Sequence, residues 1–151
     1  MKFNTLEESI QYAIKQEEIA ITLYTHLSSI STNLQAKEEF DRLVVMETEH
    51  KVNLQNYSWD EYKSRDDDEI YFDLKTSDYL VKPDDINNMS FLESIIVAAK
   101  REKQAMEMYQ KFAEAYSKNE KLNSFFLQMV EEEARHKYEL ESLYEDLINE
   151  R

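Results

Sequence analysis

The chain has 151 residues, no glycine, no cysteine, one proline and a net charge of −14. That length supports one domain with a substantial core. The missing glycines argue against an all-β fold and against a glycine-rich nucleotide loop, and the missing cysteines exclude disulfides and Cys-ligated metal centres within the chain. The acidity opposes binding to a phosphate backbone, no apolar run reaches membrane-spanning length, and MKFNTLEESI lacks a signal-peptide core. A cytoplasmic location, with neither nucleic acid nor membrane as partner, is expected.

The first predicted helix spans about 6–30 and opens on Thr5 followed by Glu8, a pairing in which hydroxyl and acid satisfy each other's free amides. Its apolar stripe reads Ile10, Ile14, Glu17, Ile21, Tyr24; His26 falls off it and is expected at the surface. The second, about 33–58, opens on Thr32 with Gln35 and carries Phe40, Leu43, Glu47, His50, Leu54 and Tyr57 inward. A connection of about thirty residues follows, 59–89. Its aromatics Trp59, Tyr62, Tyr71, Phe72 and Tyr79 are expected to pack on the helices, and Asp66–Asp68 lacks the spacing and glycine of an EF-hand loop. The third helix, about 91–116, opens on Ser90 with Glu93 and turns Ile95, Ala99, Glu102, Met106 and Tyr109 inward. The fourth, about 118–149, opens on Ser117 with Glu120 and presents Phe126, Met129, Glu133, His136, Leu140 and Leu143.

These elements repeat. Thr5 to Ser90 and Thr32 to Ser117 are both shifts of 85, and AIKQEEIAITLY returns as AAKREKQAMEMY at that shift. FDRLVVMETEHK returns as FLQMVEEEARHK at 86, as though one residue were inserted. The expected architecture is an all-α four-helix bundle, a single domain over 1–151, of two antiparallel hairpins (about 5–58 and 90–149) joined by a long crossover.

Each stripe is apolar except at its middle, where Glu17, Glu47 with His50, Glu102, and Glu133 with His136 stand. Four buried carboxylates repel one another and each pays for lost hydration, so a positive charge must lie between them. Lysine and arginine are not expected on the adjoining stripe positions, which leaves a metal cluster as the simplest answer. Two divalent ions would balance four carboxylates, with the imidazoles as neutral ligands; one Glu from each of two helices and Glu-x-x-His from each of the others is the donor pattern of dinuclear carboxylate bundles. Tyr24 and Tyr109 stand seven residues after Glu17 and Glu102, two turns along the same face, and are expected to orient ligating carboxylates. Glu132 would be an alternate ligand if the fourth helix bulged. Glu18 points elsewhere, and Glu49, Glu131 and Glu139 are expected on solvated faces.

The paired hairpins with KQEEIAITLY, METEHK, KREKQAMEMY and EEEARHK resemble the ferritin-like superfamily, and within it the rubrerythrin-like proteins, over nearly the whole chain. The resemblance implies a bridged di-iron centre, with Glu47 and Glu133 bridging, Glu17 and Glu102 terminal, and His50 and His136 each on one iron. It implies reduction of hydrogen peroxide, or reaction with dioxygen, using electrons from an external donor, since no rubredoxin-type centre is possible without cysteine. The family also carries a third-helix glutamate that exchanges with histidine during redox cycling; Ala105 stands one turn after Glu102 here. Ferroxidase chemistry and a non-enzymatic metal-binding or interaction bundle are the alternatives. Manganese or zinc would suit the same donors, and exposed faces would support a homodimer.

Overall fold

Thr5 Oγ1 accepts from the Glu8 amide, and Ser90 with Glu93 forms a reciprocal capping box. These caps start the first helix of each hairpin. The computed structural model describes residues 5–57 and 90–149, and among them the elements are α1 (Leu6–Ile30), α2 (Leu34–Asn56), α3 (Phe91–Ala115) and α4 (Glu120–Asn149), with no strand. The expected crossover and its five aromatics lie outside the described residues.

The other two predicted caps are corrected. α2 starts from Asn33, whose side chain accepts from the Ala36 amide, and not from Thr32. At the head of α4 the Asn119 side chain accepts from the Leu122 amide, while Ser117 lies in a turn, its amide bonded to the Glu114 carbonyl. The physical reason is the amide side chain: asparagine reaches the third amide at least as well as a hydroxyl does. The correction also locates the inserted residue. α1 and α3 end 85 residues apart, α2 and α4 begin 86 apart, and the turns between them hold residues 31–33 and 116–119. The insertion sits in the turn, so both hairpins keep their helices in register.

Within each hairpin, α1 packs on α2 and α3 on α4; the hairpins meet through α1 with α3 and α2 with α4. Contacts pair residue 24 with 98 and 17 with 109, and residue 42 with 139 and 50 with 132, so each of these facing pairs is antiparallel. α2 and α3 therefore run parallel, and the ends that the intervening chain must join lie at opposite ends of the bundle.

Two apolar layers fill the interior. One gathers Ile10, Leu54, Tyr109, Phe112, Leu122 and Phe126 at the end holding the α1 and α4 N-termini. The other gathers Leu27, Ala36, Phe40, Ile95, Leu140 and Leu143 at the opposite end. The polar residues occupy the level between them. A turn-side clamp adds polar support: Ser28 Oγ donates to Asp41 and accepts from Lys37 Nζ at 3.1 Å.

Candidate metal centre

Each helix delivers its acidic residue to the same level because each interrupts an apolar stripe at its midpoint. Glu17, Glu47, Glu102 and Glu133 are all fully buried, and His50 and His136 are 3% and 0% exposed. Their ligand atoms form two groups whose members lie within 4.8 Å of one another: Glu17, Glu47, His50 and Glu133, and Glu47, Glu102, Glu133 and His136. Glu47 and Glu133 belong to both. The imidazoles stack with centroids 5.6 Å apart, and each turns Nδ1 toward carboxylates, His50 to Glu133 at 2.8 Å and His136 to Glu47 at 3.2 Å.

The tyrosines reach across the bundle. Tyr24 Oη, on α1, donates to Glu102 Oε1 on α3 at 2.5 Å, and Tyr109 Oη, on α3, donates to Glu17 Oε1 on α1 at 2.6 Å. Burial, and then the carboxylate beside each, raises both phenols well above their ordinary range, so each remains a neutral donor.

Burial, followed by repulsion from neighbouring carboxylates, pushes Glu17 and Glu133 well above the ordinary carboxyl range. Burial would raise Glu47 too, but the nearness of Glu17, the charge of Arg101 and contacts with both histidines hold it well below. Burial opposes charge on the histidines, yet the neighbouring carboxylates of Glu102 and Glu47 raise His136 to about 9, and those of Glu132, Glu133 and Glu47 raise His50 further.

Two site features depart from the expectations. The first is Arg101, 8% exposed, whose guanidinium lies among the carboxylates where no basic residue was expected. Nη1 stands 3.5 Å from Glu47 Oε2, 3.5 Å from Glu133 Oε2 and 3.7 Å from Glu102 Oε1; Nη2 stands 3.8 Å from Glu17 Oε2 and donates to the Gln16 carbonyl at 3.1 Å. Arg101 immediately precedes a ligand-type residue on α3, off the assumed stripe, and a long side chain reaches inward from that flank. Its repeat mate, 85 residues earlier, is Gln16, so comparing the hairpins gives no sign of it.

The second is Glu132. It does not replace Glu133, which is fully buried in the cluster; its Oε2 lies 2.7 Å from His50 Nε2, with the side chain 29% exposed. The hydrogen bond with His50 holds Glu132 below the usual carboxylate range. Glu132 also lines an open depression on α4 with Ser124, Leu127, Gln128, Glu131 and Arg135.

Among the residues set aside, Glu18, Glu49 and Glu131 are exposed, and Glu18 pairs with Lys51 at 3.3 Å. Glu139 is half-buried and paired with Arg42, so that face is not simply solvated. His26 is half-buried rather than a surface residue, with Nε2 hidden from solvent, because it stands beside the inward-turned Leu27. Ile21, Ala99 and Met106 are half-buried, and Ala98, Ala105 and Met108 take the inner positions of their stripes.

The donor chemistry fits a pair of divalent cations. Glu17 Oε2, Glu47 Oε2, Glu102 Oε2, both Glu133 oxygens and His50 Nδ1 are buried without a hydrogen-bond partner among the described residues. Buried polar atoms are ordinarily satisfied, and such a convergent set of acceptors calls for cations.

No curated protein matches the chain. Residues 91–151 match the family model described as Rubrerythrin. A solved structure of a hypothetical protein from Pyrococcus furiosus is similar, with 26% identity and a TM-score of 0.65, covering 96% of this chain and 91% of that one. No described helix is long and apolar enough to cross a membrane. The family match on the second hairpin, the four-helix fold and the recurrence of the same motifs in the first hairpin support a likeness to the ferritin-like, rubrerythrin-type proteins.

Proposed function

We propose that this protein is a di-iron oxidoreductase that reduces hydrogen peroxide with electrons from a separate donor. The observation that carries the reading is the sharing of Glu47 and Glu133 between two four-donor groups, each completed by one histidine and one further glutamate. The rubrerythrin family match supports iron as the metal.

Glu17, Glu47, His50 and Glu133 would hold one ion and Glu47, Glu102, Glu133 and His136 the other. Two iron ions there would supply the two electrons that cleavage of a peroxide O–O bond consumes. The protein's part is positioning and proton handling. Tyr24 and Tyr109 each fix one oxygen of Glu102 and Glu17 by donating a hydrogen bond, so the other oxygen is aimed at the cluster. Glu132, accepting from His50 Nε2, fixes the ring and keeps Nδ1 turned inward. Reducing one peroxide to two waters takes two protons as well as two electrons. The partly exposed Glu132 connects His50 Nε2 with solvent, while the apolar layers above and below exclude water from the rest. Ala105 belongs to the apolar layer and offers no carboxylate for ligand exchange.

The test is anaerobic loading with Fe(II), metal counting, and stopped-flow mixing with peroxide or with oxygen. Two irons per chain and faster oxidation by peroxide are expected. Faster oxidation by oxygen, with continued turnover of added Fe(II), would make the protein a ferroxidase with iron as its substrate. Arg101 favours a further alternative, a non-enzymatic bundle, since the cage carries a cation of its own; a folded protein that takes up no metal would establish that one.

A further inference from the structure

We propose that Arg101 is a built-in competitor for the metal centre, a cation that holds the carboxylate cage together and is expelled when divalent ions enter. The inference rests on the metal-centre reading above.

Guanidinium and metal would draw on the same carboxylate oxygens. Glu17 Oε2, Glu47 Oε2 and Glu133 Oε2, which Arg101 approaches at 3.8, 3.5 and 3.5 Å, are among the oxygens without a hydrogen-bond partner in the described protein. A carboxylate oxygen that ligates a metal at about 2 Å cannot also hold a guanidinium at this separation without placing two cations side by side. Among the described residues, Arg101 Nη1 is buried without a hydrogen bond and faces carboxylates from three helices, while the hydrogen bond of Nη2 goes to the neutral Gln16 carbonyl. The guanidinium is thus held mainly by charge, and metal entry removes what holds it.

Burial does not trap the side chain. Arg101 is 8% exposed, whereas the four glutamates are wholly inaccessible, so part of the residue borders the surface. A charged head on a flexible stem is free to extend to water when its partners are taken. The repeat singles the residue out too: Gln16, at the same place in the first hairpin, carries no charge.

The experiment compares full-length wild type with Arg101→Gln and Arg101→Lys, using Zn(II) as a diamagnetic probe. Competition with a chromophoric chelator should show that Arg101→Gln binds zinc at least about tenfold more tightly, the scale for removing a unit charge from about 4 Å. In EDTA the same variant should melt below wild type, and Arg101→Lys, keeping the charge with a different reach, should bind zinc with intermediate affinity. In wild type labelled with 15N-arginine, the Arg101 Nε–H signal, identified by its loss in Arg101→Lys, should shift and exchange faster with water as zinc binds.

Zinc binding with equal affinity in all three proteins and an unmoved Arg101 signal would overturn the proposal while leaving the metal centre intact. Failure of wild type and variants to bind zinc, iron or manganese would remove the metal-centre reading and this inference with it. If Arg101→Gln does not fold in EDTA but folds with zinc, the proposal is supported; if it folds in neither, the wild-type signal decides, and an unmoved signal in the zinc-bound protein overturns it.

Discussion

His50 Nε2 lies 2.7 Å from Glu132 Oε2, while its repeat mate His136 has a buried Nε2 with no hydrogen-bond partner among the described residues. At the shift of 86 that relates the two histidines, the position matching Glu132 is Met46. The duplication therefore copied the histidines but not the carboxylate behind them. A carboxylate behind a ligating histidine fixes its ring and raises its basicity, and losing such a group typically weakens metal binding by about 10–100-fold. Two ions are expected to leave the wild-type protein in distinct steps under chelation, the later from the His50 side. Glu132→Ala should weaken that tighter step and merge the two. Single-step release from wild type, or release unchanged in the variant, would show that Glu132 gives His50 no advantage.

Sharing predicts a hierarchy among the ligands. Removing Glu47 or Glu133, which belong to both donor groups, should abolish binding of both ions, whereas removing Glu17 or Glu102 should leave one. Glu49→Ala, at an exposed position, should bind like wild type. Elemental analysis of purified iron-loaded variants reads this directly. Equal losses at Glu17 and Glu47 would contradict bridging, and a loss at Glu49 would contradict the assignment of the helix faces.

Much of this layout was legible in the sequence because duplication gave an internal check. Glu47 with His50 is a weak signal alone; its echo in Glu133 with His136, at the same level of a second apolar stripe, made it specific. Tyr24 and Tyr109 were visible by the same logic, although which carboxylate each would meet depends on how the hairpins face each other. That is a tertiary fact: Tyr24 meets Glu102 and Tyr109 meets Glu17, across the bundle. Arg101 was not legible as a site residue, and Glu132 only as an alternate ligand, since each lies one position before a ligand and reaches in from the flank. Stripe periodicity tracks where a Cα faces, and a long charged side chain departs from it. Thr32 and Ser117 misled for a local reason, because an asparagine stood nearer each helix start.

The cross-bundle tyrosines carry a prediction about stability that is separable from catalysis. Tyr109 is fully buried, stacked near Phe126 and edge-on to Phe112, so a phenylalanine fits the same space. Tyr109→Phe removes only the hydroxyl that donates to Glu17 Oε1 and leaves that buried oxygen without its donor. The cost should be about 1–3 kcal/mol, the range for a buried acceptor that loses its partner. Tyr24→Phe should behave alike through Glu102 Oε1. Denaturant unfolding in EDTA measures both. Changes near zero would mean that the carboxylates find replacement donors, and that the tyrosines are packing residues.

The last prediction concerns pH and has opposite signs with and without metal. His136 titrates at about 9 in the folded protein against an ordinary value of 6.5, and His50 is raised further. Glu17 and Glu133 are also raised above 4.5. A group whose folded pKa is raised contributes stability that is full below its unfolded pKa and is lost as pH climbs through the folded value. In EDTA, stability should therefore fall between about pH 6.5 and 9 as His136 loses its proton, with the raised glutamates contributing to decline over the range above their unfolded value. Glu47 and Glu132 act oppositely, since their folded pKa values are lowered and their contribution is lost in acid. Metal opposes the alkaline trend: ligands bind ions in their deprotonated forms, so ion binding releases protons and tightens as pH rises. Melting temperatures from pH 6 to 9, with EDTA and with saturating Mn(II), should diverge steadily, the EDTA curve falling while the stabilisation by metal grows. A metal-independent pH profile would mean that these buried groups do not exchange their protons for ions.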